Sequence, residues 1–246
     1  GMLATLDHLG ESVTDPSQAR AAAQTYVEIL ETIAASGVDS NVSLKLTQLG
    51  LDIDRQLCLD NMRLILDTAA ARGNFVRIDM EDSHHTEITI QVFEELAKSY
   101  QNVGLVVQAY LYRTAADIER LQPLQPNLRL CKGAYSEPPT VAYPKKADVD
   151  RNFQKIIAQH LLSGNYTAVA THDEKIIEFT KRLVQENQIP HDRFEFQMLY
   201  GIRRDLQREL AAAGYKVRIY VPYGTDWYPY FTRRLAERPA NVLFVV

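Results

Sequence analysis

The stretch Gly104-Leu105-Val106-Val107-Gln108, then a helical pattern over Thr114–Leu121, then Leu128-Arg129-Leu130-Cys131, decides the fold. Leu105-Val106-Val107 is apolar on both faces, which suits a parallel strand covered on two sides rather than one that meets water. A polar residue closes each run, and an amphipathic stretch separates them. The same unit recurs in both directions along the chain. Strands are expected at Met2–Leu6, Val42–Lys45, Phe75–Asp79, Gly104–Gln108, Leu128–Cys131, Tyr166–Thr171, Phe194–Met198 and Val217–Val221. Helices are expected over Pro16–Ala35, Leu57–Ala71, Thr86–Lys98, Thr114–Leu121, Asp148–Leu162, Glu174–Glu186, Asp205–Ala213 and Trp227–Glu237. Asp15 offers an N-cap to the first of them, and Thr86 reads as a cap for the third.

No Ser/Gly-rich linker and no charge block divides the 246 residues. Strand and helix alternate throughout, so the chain is expected to be α/β: one (βα)8 TIM-like barrel, a single domain over residues 1–246. A doubly wound open sheet would want a glycine-rich phosphate turn after an early strand, and the eleven glycines form no GxG. Only Ser136–Lys146, with Pro138, Pro139 and Pro144, is a long irregular loop; such loops are usually functional or mobile.

Composition narrows the classes further. Hydrophobic residues are 46% and charged residues 24%, with net charge −4, which excludes disorder and gives no footprint of a nucleic-acid binder. Two widely separated cysteines, Cys58 and Cys131, make no disulfide framework and no CxxC pair; they read as reduced thiols of a cytoplasmic protein. No apolar run nears the roughly 18 residues of a membrane span, and no signal peptide opens the chain. Gly1-Met2 reads as a tag remnant.

Barrel enzymes place their chemistry at the C-terminal ends of the strands. Here those ends carry Asp7, His8 and Glu11; Lys45; Asp79 and Glu81; Gln108 and Tyr110; Lys132; His172 and Asp173; Gln197 and Tyr200; and Tyr220 and Tyr223. Strand ends meet water, so any one of these is unremarkable. Ionisable groups at every mouth together point to an enzyme. In the last helix Tyr230, Arg233, Arg234 and Glu237 fall on one face. Two adjacent arginines can address one small target, and their forks suit a carboxylate. The ordinary alternative is a solvated face with Arg233 paired to Glu237.

Other chemistries find less support. There is no GxSxG and no HExxH, and His84 and His85 are neighbours whose side chains diverge, so no metal site is expected. Lys45 or Lys132 also suits a Schiff-base lyase, since barrel aldolases use strand-end lysines, and the residues alone leave that open. A non-catalytic barrel is the third reading; Lys45, Asp79, Arg233 and Arg234 standing together argue against it.

At Leu6-Asp7-His8-Leu9-Gly10-Glu11, Arg129-Leu130-Cys131-Lys132-Gly133-Ala134-Tyr135 and Tyr230-Phe231-Thr232-Arg233-Arg234-Leu235-Ala236-Glu237 the sequence resembles the proline dehydrogenase family, monofunctional or within bifunctional proline-utilisation proteins. The resemblance spans nearly the whole chain. It implies a distorted (βα)8 barrel that binds FAD, oxidises L-proline to Δ1-pyrroline-5-carboxylate and passes electrons to a quinone. Peripheral membrane contact on the inner face and channelling to a pyrroline-5-carboxylate dehydrogenase are implied partners; nucleic acid is not. By the same resemblance Asp79 and Arg129 are catalytic. Arg233 and Arg234 grip the proline carboxylate, Lys45 lines the same pocket, and Leu199, Tyr220 and Tyr230 wall the ring. Glu11 gates the pocket by pairing with Arg233. Met80, Gln108, Arg129, Cys131, Lys132, Gly133, Ala134, Thr171 and His172 are the implied FAD positions. Arg129 and Lys132 would stabilise negative charge on the reduced cofactor. Tyr230 would crowd the ring carbon that carries the hydroxyl of hydroxyproline.

Two departures stand out. Family members carry helices before the first strand, so the chain reads as a core trimmed at both ends. Ser136 follows Tyr135 where some members carry a bulky aromatic, and the loop over Pro138–Lys146 is expected to move over the cofactor edge. The arginine pair makes a testable statement. Arg234→Met should raise KM for proline roughly ten- to a hundredfold, the worth of a charge-assisted bond of about 1.5–3 kcal/mol. Steady-state kinetics of the variant checks it.

Overall fold

The computed structural model describes residues 1–237, with side chains through Arg233. Eight parallel strands close into a barrel in sequence order, β1 (Leu3–His8), β2 (Ser40–Leu44), β3 (Val76–Ile78), β4 (Val103–Gln108), β5 (Asn127–Cys131), β6 (Thr167–Ala170), β7 (Phe194–Leu199) and β8 (Val217–Tyr223). Closure is by β1 against β8, with Leu6 beside Val221 and Asp7 beside Pro222. A helix follows each strand: α1 (Pro16–Ser36), α2 (Arg55–Ala71), α3 (Ser83–Leu96), α4 (Thr114–Leu121), α5 (Lys146–Leu162), α6 (Glu174–Glu186), α7 (Arg204–Ala212) and α8 (Tyr228–Glu237). The expected barrel is therefore the observed one.

Helix starts follow local chemistry. Asp15 caps α1 as expected, accepting from the Ser17 amide at 2.7 Å. The third helix departs from the expectation at Thr86. It begins three residues earlier, because the Asp82 carboxylate accepts the amides of His84 and His85. The first and last strands also outrun their expected ends. Asp7 and His8 lie inside β1, and β8 continues to Tyr223 because barrel closure supplies pairing that no local pattern shows. The loop between β5 and α5 was expected to be mobile, yet it is pinned. Glu137 accepts from the Ser83 amide and hydroxyl at 2.6 and 2.5 Å, Tyr112 donates to the Pro139 carbonyl, and Leu111 forms an isolated bridge with Ala142.

Strands β2 to β8 show why the barrel is held as it is. Outward residues such as Val42, Leu44, Val76, Ile78, Leu128, Leu130, Phe194 and Phe196 are buried under the helices and form one apolar shell. The residues between them are polar: Ser43, Arg77, Arg129, Glu195, Gln197 and Arg218. Those side chains fill the lumen, where one end of each must find a partner. Arg77 is fully enclosed. Its guanidinium donates to the carbonyls of Leu105 and Asn127 and to the Asn127 side chain, and stacks over Phe75 at 4.9 Å. Burial, with Arg129 nearby, pulls Arg77 down to about 9.

Gly104, the register partner of Arg77, is what admits that guanidinium. A Cβ there would stand 2.5 Å from both Arg77 Nη1 and the Asn127 carbonyl. Gly104→Ala should therefore destabilise the barrel by about 1–3 kcal/mol through overpacking, read as a lower urea midpoint with unchanged slope.

Candidate active site

The polar side chains converge at the C-terminal mouth. Arg129, on β5, reaches across the lumen: Nη1 to Asp79 Oδ1 at 2.6 Å, Nη2 to Ser43 Oγ at 2.8 Å, and Nε to Gln197 Oε1 at 2.5 Å. Gln197 in turn donates its amide to Glu195, which also accepts from Arg218 and Tyr166. Because Arg129 only donates and Glu195 only accepts, the Gln197 amide has a single allowed orientation. Burial pushes the Glu195 carboxyl up, but Arg218 together with the hydrogen bonds from Gln197 and Tyr166 outweighs it and holds the group below the usual carboxylate range.

A second knot sits beside the first. Tyr220 Oη lies 2.6 Å from Asp7 Oδ2 and 2.9 Å from Asp79 Oδ2, and its ring lies against Arg129 at 5.3 Å. Lys45 Nζ is 3.6 Å from Asp7 Oδ2. Burial works against the Lys45 ammonium, yet the carboxylates of Asp7, Asp79, Glu11 and Glu81 outweigh it and hold the lysine above its ordinary value.

Above these groups a cavity of about 280 Å³ is lined by Glu11, Lys45, Tyr230 and Arg233, among others. That is the small end of ligand pockets. Arg233, from α8, closes on Glu11, from the loop after β1, with two parallel bonds of 2.5 and 2.8 Å. The Tyr135 ring supports the guanidinium at 5.2 Å. The expected pairing of Glu11 with Arg233 is thus present. Arg233 uses Glu11, 222 residues away, as its acid partner. Arg234 belongs to α8, but its side chain lies outside the described residues, as does that of Glu237.

Glu11 is itself held from below. The Thr47 hydroxyl donates to Glu81 Oε2 at 2.6 Å and accepts the Ser12 amide at 2.9 Å, while the Thr47 carbonyl accepts the Val13 amide. Ser12 sits at φ 54°, a left-handed conformation that this anchorage maintains. Thr47 and Ser43 are site residues that the sequence did not single out, while Asp7, Glu81 and Gln197 stood only among the strand-end candidates and Tyr135 only within a motif, with no role assigned. The polar member of each apolar-polar alternation was a usable signal for Ser43 and Gln197. Nothing local marks Thr47 as the anchor of a loop 35 residues upstream.

The remaining expected positions line the mouths of β3 to β7. Met80 is buried after β3. Gln108 donates to the Glu81 carbonyl at 3.1 Å, and its Oε1 is a buried acceptor with no hydrogen-bond partner. Cys131 is half-buried, with Sγ 3.7 Å from the Val107 carbonyl. Gly133, at φ 108°, lies so close to Tyr110 that a Cβ would meet the ring at 2.3 Å. Thr171 accepts from the Asp173 amide, His172 Nε2 receives the Leu199 amide, and Leu199 and Ala134 are half-buried. His85, a weak metal candidate from the sequence, lies between Asp82 and Asp52 at 2.7 and 2.9 Å.

With this geometry in hand, comparison with known proteins is decisive. The sequence profile described as proline dehydrogenase matches residues 1–246. The chain belongs to the proline dehydrogenase family. It is 51% identical over 246 residues to Proline dehydrogenase 1 of Bacillus subtilis (strain 168), covering all of this chain and 82% of that protein. It is 49% identical over 251 residues to Proline dehydrogenase of Deinococcus radiodurans, covering 100% of this chain and 81% of the relative. The fold is similar to the crystal structure of proline utilization A from Bdellovibrio bacteriovorus inactivated by N-propargylglycine, with TM-score 0.88 and 27% identity. That match covers 96% of this chain and 30% of the larger protein. Membership places the chain among the oxidoreductases of proline catabolism.

One cluster at the mouth carries a stability signature of its own. Lys132 donates to Asp150 at 2.5 Å and Asp173 at 2.8 Å, tying β5 to the starts of α5 and α6. Burial raises both carboxyls, but the lysines outweigh it, so both stay below their ordinary value. A lowered folded value stabilises above the unfolded pKa and is lost as pH falls through the folded one. Lys132→Met should therefore cost about 1 kcal/mol at neutral pH, discounted for partial exposure, and progressively less as the pH falls through the lowered values of the two carboxyls. Urea midpoints across that pH range check it.

Proposed function

We propose that the protein is an FAD-dependent proline dehydrogenase that oxidises L-proline to Δ1-pyrroline-5-carboxylate. The observation that supports the reading is the small cavity lined by Lys45, Tyr230 and the Arg233–Glu11 pair, at the same end of the barrel as the Asp79–Arg129 pair. A small amphoteric substrate fits that arrangement, with its carboxylate toward the cations and its ring among Leu199, Tyr220 and Tyr230.

The residues present fit the flavin. Gln108 Oε1 is a buried acceptor awaiting a donor, and a flavin ring offers an N–H. Arg129 and Lys132 add cationic groups at the same strand ends. Met80, Gln108, Arg129, Cys131, Lys132, Gly133, Ala134, Thr171 and His172 are the positions that would hold it. FAD, when bound, supplies the hydride acceptor.

The chain's own groups do the rest. Arg233, Lys45 and Arg234 fix the substrate carboxylate, so that the reacting carbon is held in one orientation. Glu11 must release Arg233, at least in part, for the guanidinium to meet the substrate, and α8 then covers the mouth. Asp79 holds Arg129, and Tyr220 walls the ring while bonded to Asp79.

Electrons would pass to a quinone, with peripheral contact at the membrane; among the described residues no helix is long and apolar enough to cross one. The similarity to proline utilization A favours hand-over of the product to a pyrroline-5-carboxylate dehydrogenase.

The direct test is the visible spectrum of the FAD-loaded protein before and after anaerobic L-proline. The flavin band should bleach, and cyclopentanecarboxylate, which lacks the nitrogen, should bind without bleaching. A loaded protein that proline leaves coloured would overturn the assignment.

A further inference from the structure

We propose that Asp7 rests as a carboxylic acid, the donor end of a one-way chain Asp7–Tyr220–Asp79, and so leaves the Lys45 ammonium for the substrate carboxylate. The second half of this statement rests on the function proposed above; the first half does not.

The argument is a count of protons. Tyr220 Oη lies within 3 Å of two carboxyl oxygens, Asp7 Oδ2 at 2.6 Å and Asp79 Oδ2 at 2.9 Å. A phenol has one O–H to donate, and an ionised carboxylate can only accept. With both aspartates ionised, one of these contacts would set lone pair against lone pair between an oxygen and an anion. A proton shared evenly between both would leave each contact long, and these are short. A second proton is required, and it belongs on one of the two carboxyls.

The surroundings select Asp7. Asp79 has a guanidinium on its other oxygen, Arg129 Nη1 at 2.6 Å. Asp7 has none. Its Oδ1 is buried with no hydrogen-bond partner, and its nearest cation, Lys45, is 3.6 Å away on the Oδ2 side. A fully enclosed carboxylate with one bare oxygen is among the costliest groups to keep charged. The bond directions then follow: Asp7 O–H to Tyr220 Oη, and Tyr220 O–H to Asp79 Oδ2.

The groups facing Asp7 come from every element around it. Lys45 after β2 and Arg129 on β5 favour the anion; Asp79 after β3 opposes it. Tyr220 and Tyr223 on β8 and Tyr26 on α1 complete the shell. Burial is the largest influence and raises the Asp7 carboxyl, and the net direction remains upward after the two cations are included.

The consequence concerns binding. Glu11 is engaged on both oxygens by Arg233. If Asp7 were an anion, Lys45 would also face a permanent counter-ion. With Asp7 neutral, Asp79, Glu11 and Glu81 are the carboxylates left to favour the Lys45 ammonium, and its charge is exposed to the cavity that Lys45 lines. Asp7 is thus a positioning residue: it sets the direction of the Tyr220 hydroxyl and the charge that the substrate meets.

The test is infrared spectroscopy of the FAD-loaded, substrate-free protein carrying 13C-carboxyl aspartate, at a pH where exposed aspartates are ionised. A carboxylic-acid C=O band that shifts with the label should be present, move in Tyr220→Phe and vanish in Asp7→Asn. Absence of any labelled acid band in the wild-type protein overturns the proposal even if neither variant folds. A band that survives in Asp7→Asn and vanishes in Asp79→Asn assigns the proton to Asp79 and overturns it equally. No substrate is present, so failure of proline oxidation leaves this reading standing on its own. For the binding consequence, KM for proline should rise about five- to tenfold as the pH is raised through the ionisation of Asp7 against Lys45, and this step should be missing from the profile of Asp7→Asn. Identical profiles would separate Asp7 from the charge of the pocket.

Discussion

One guanidinium inside the barrel sets the terms for the rest of the structure. Arg129 is nearly inaccessible, and a charge in that position is tolerated only with full hydrogen bonding. It obtains this from Ser43 of β2, Asp79 after β3 and Gln197 of β7 together. Removing any partner leaves a buried donor without an acceptor, so the registers of those strands are coupled through a single side chain. The lumen below continues the theme, with Arg77 and the Arg218–Glu195 pair where other barrels carry branched apolar residues. Stability therefore comes mainly from the apolar shell between strands and helices. The lumen contributes uniqueness of arrangement and a strong, fixed electrostatic field at the mouth.

That field is shaped before any ligand arrives. Asp79 faces Arg129 on one oxygen and Tyr220 on the other, and Lys45 stands beside Asp7. The Arg233–Glu11 pair lies at the rim. Arg233 and Glu11 form a pair about one-fifth exposed, between a helix at one end of the chain and a loop at the other. Glu11 can part from Arg233 without collapse of its loop because Thr47 holds that loop by the neighbouring amides of Ser12 and Val13. The Arg129 knot and the Arg233–Glu11 pair are thus held by separate sets of hydrogen bonds.

Much of this was legible beforehand. The outer apolar residues recur with period two along the strands and with helical period between them, so each element could be placed from its own residues. Helix α4 and α6 have the expected ends, and the other helices shift by one to three residues. The errors have local causes. Asp82 caps α3 in place of Thr86, and the tie between Glu137 and Ser83 fixes a loop whose prolines suggested movement. Alternation such as Leu128-Arg129-Leu130 was read chiefly for its apolar members. In a closed barrel sheathed by helices, the polar members mark the lumen, and there they become the site.

The sequence by itself determined the barrel, the family and the strand-end residues that carry charge, because periodicity, turn chemistry and motif spacing are local properties of the chain. Only the tertiary structure decided which charges meet. Asp7 and Tyr220 are 213 residues apart, and Glu11 and Arg233 are 222 apart. Their contacts depend on closing β1 against β8 and on bringing α8 back over the mouth. Who donates and who accepts then follows from burial and distance, and neither quantity exists until the barrel has closed.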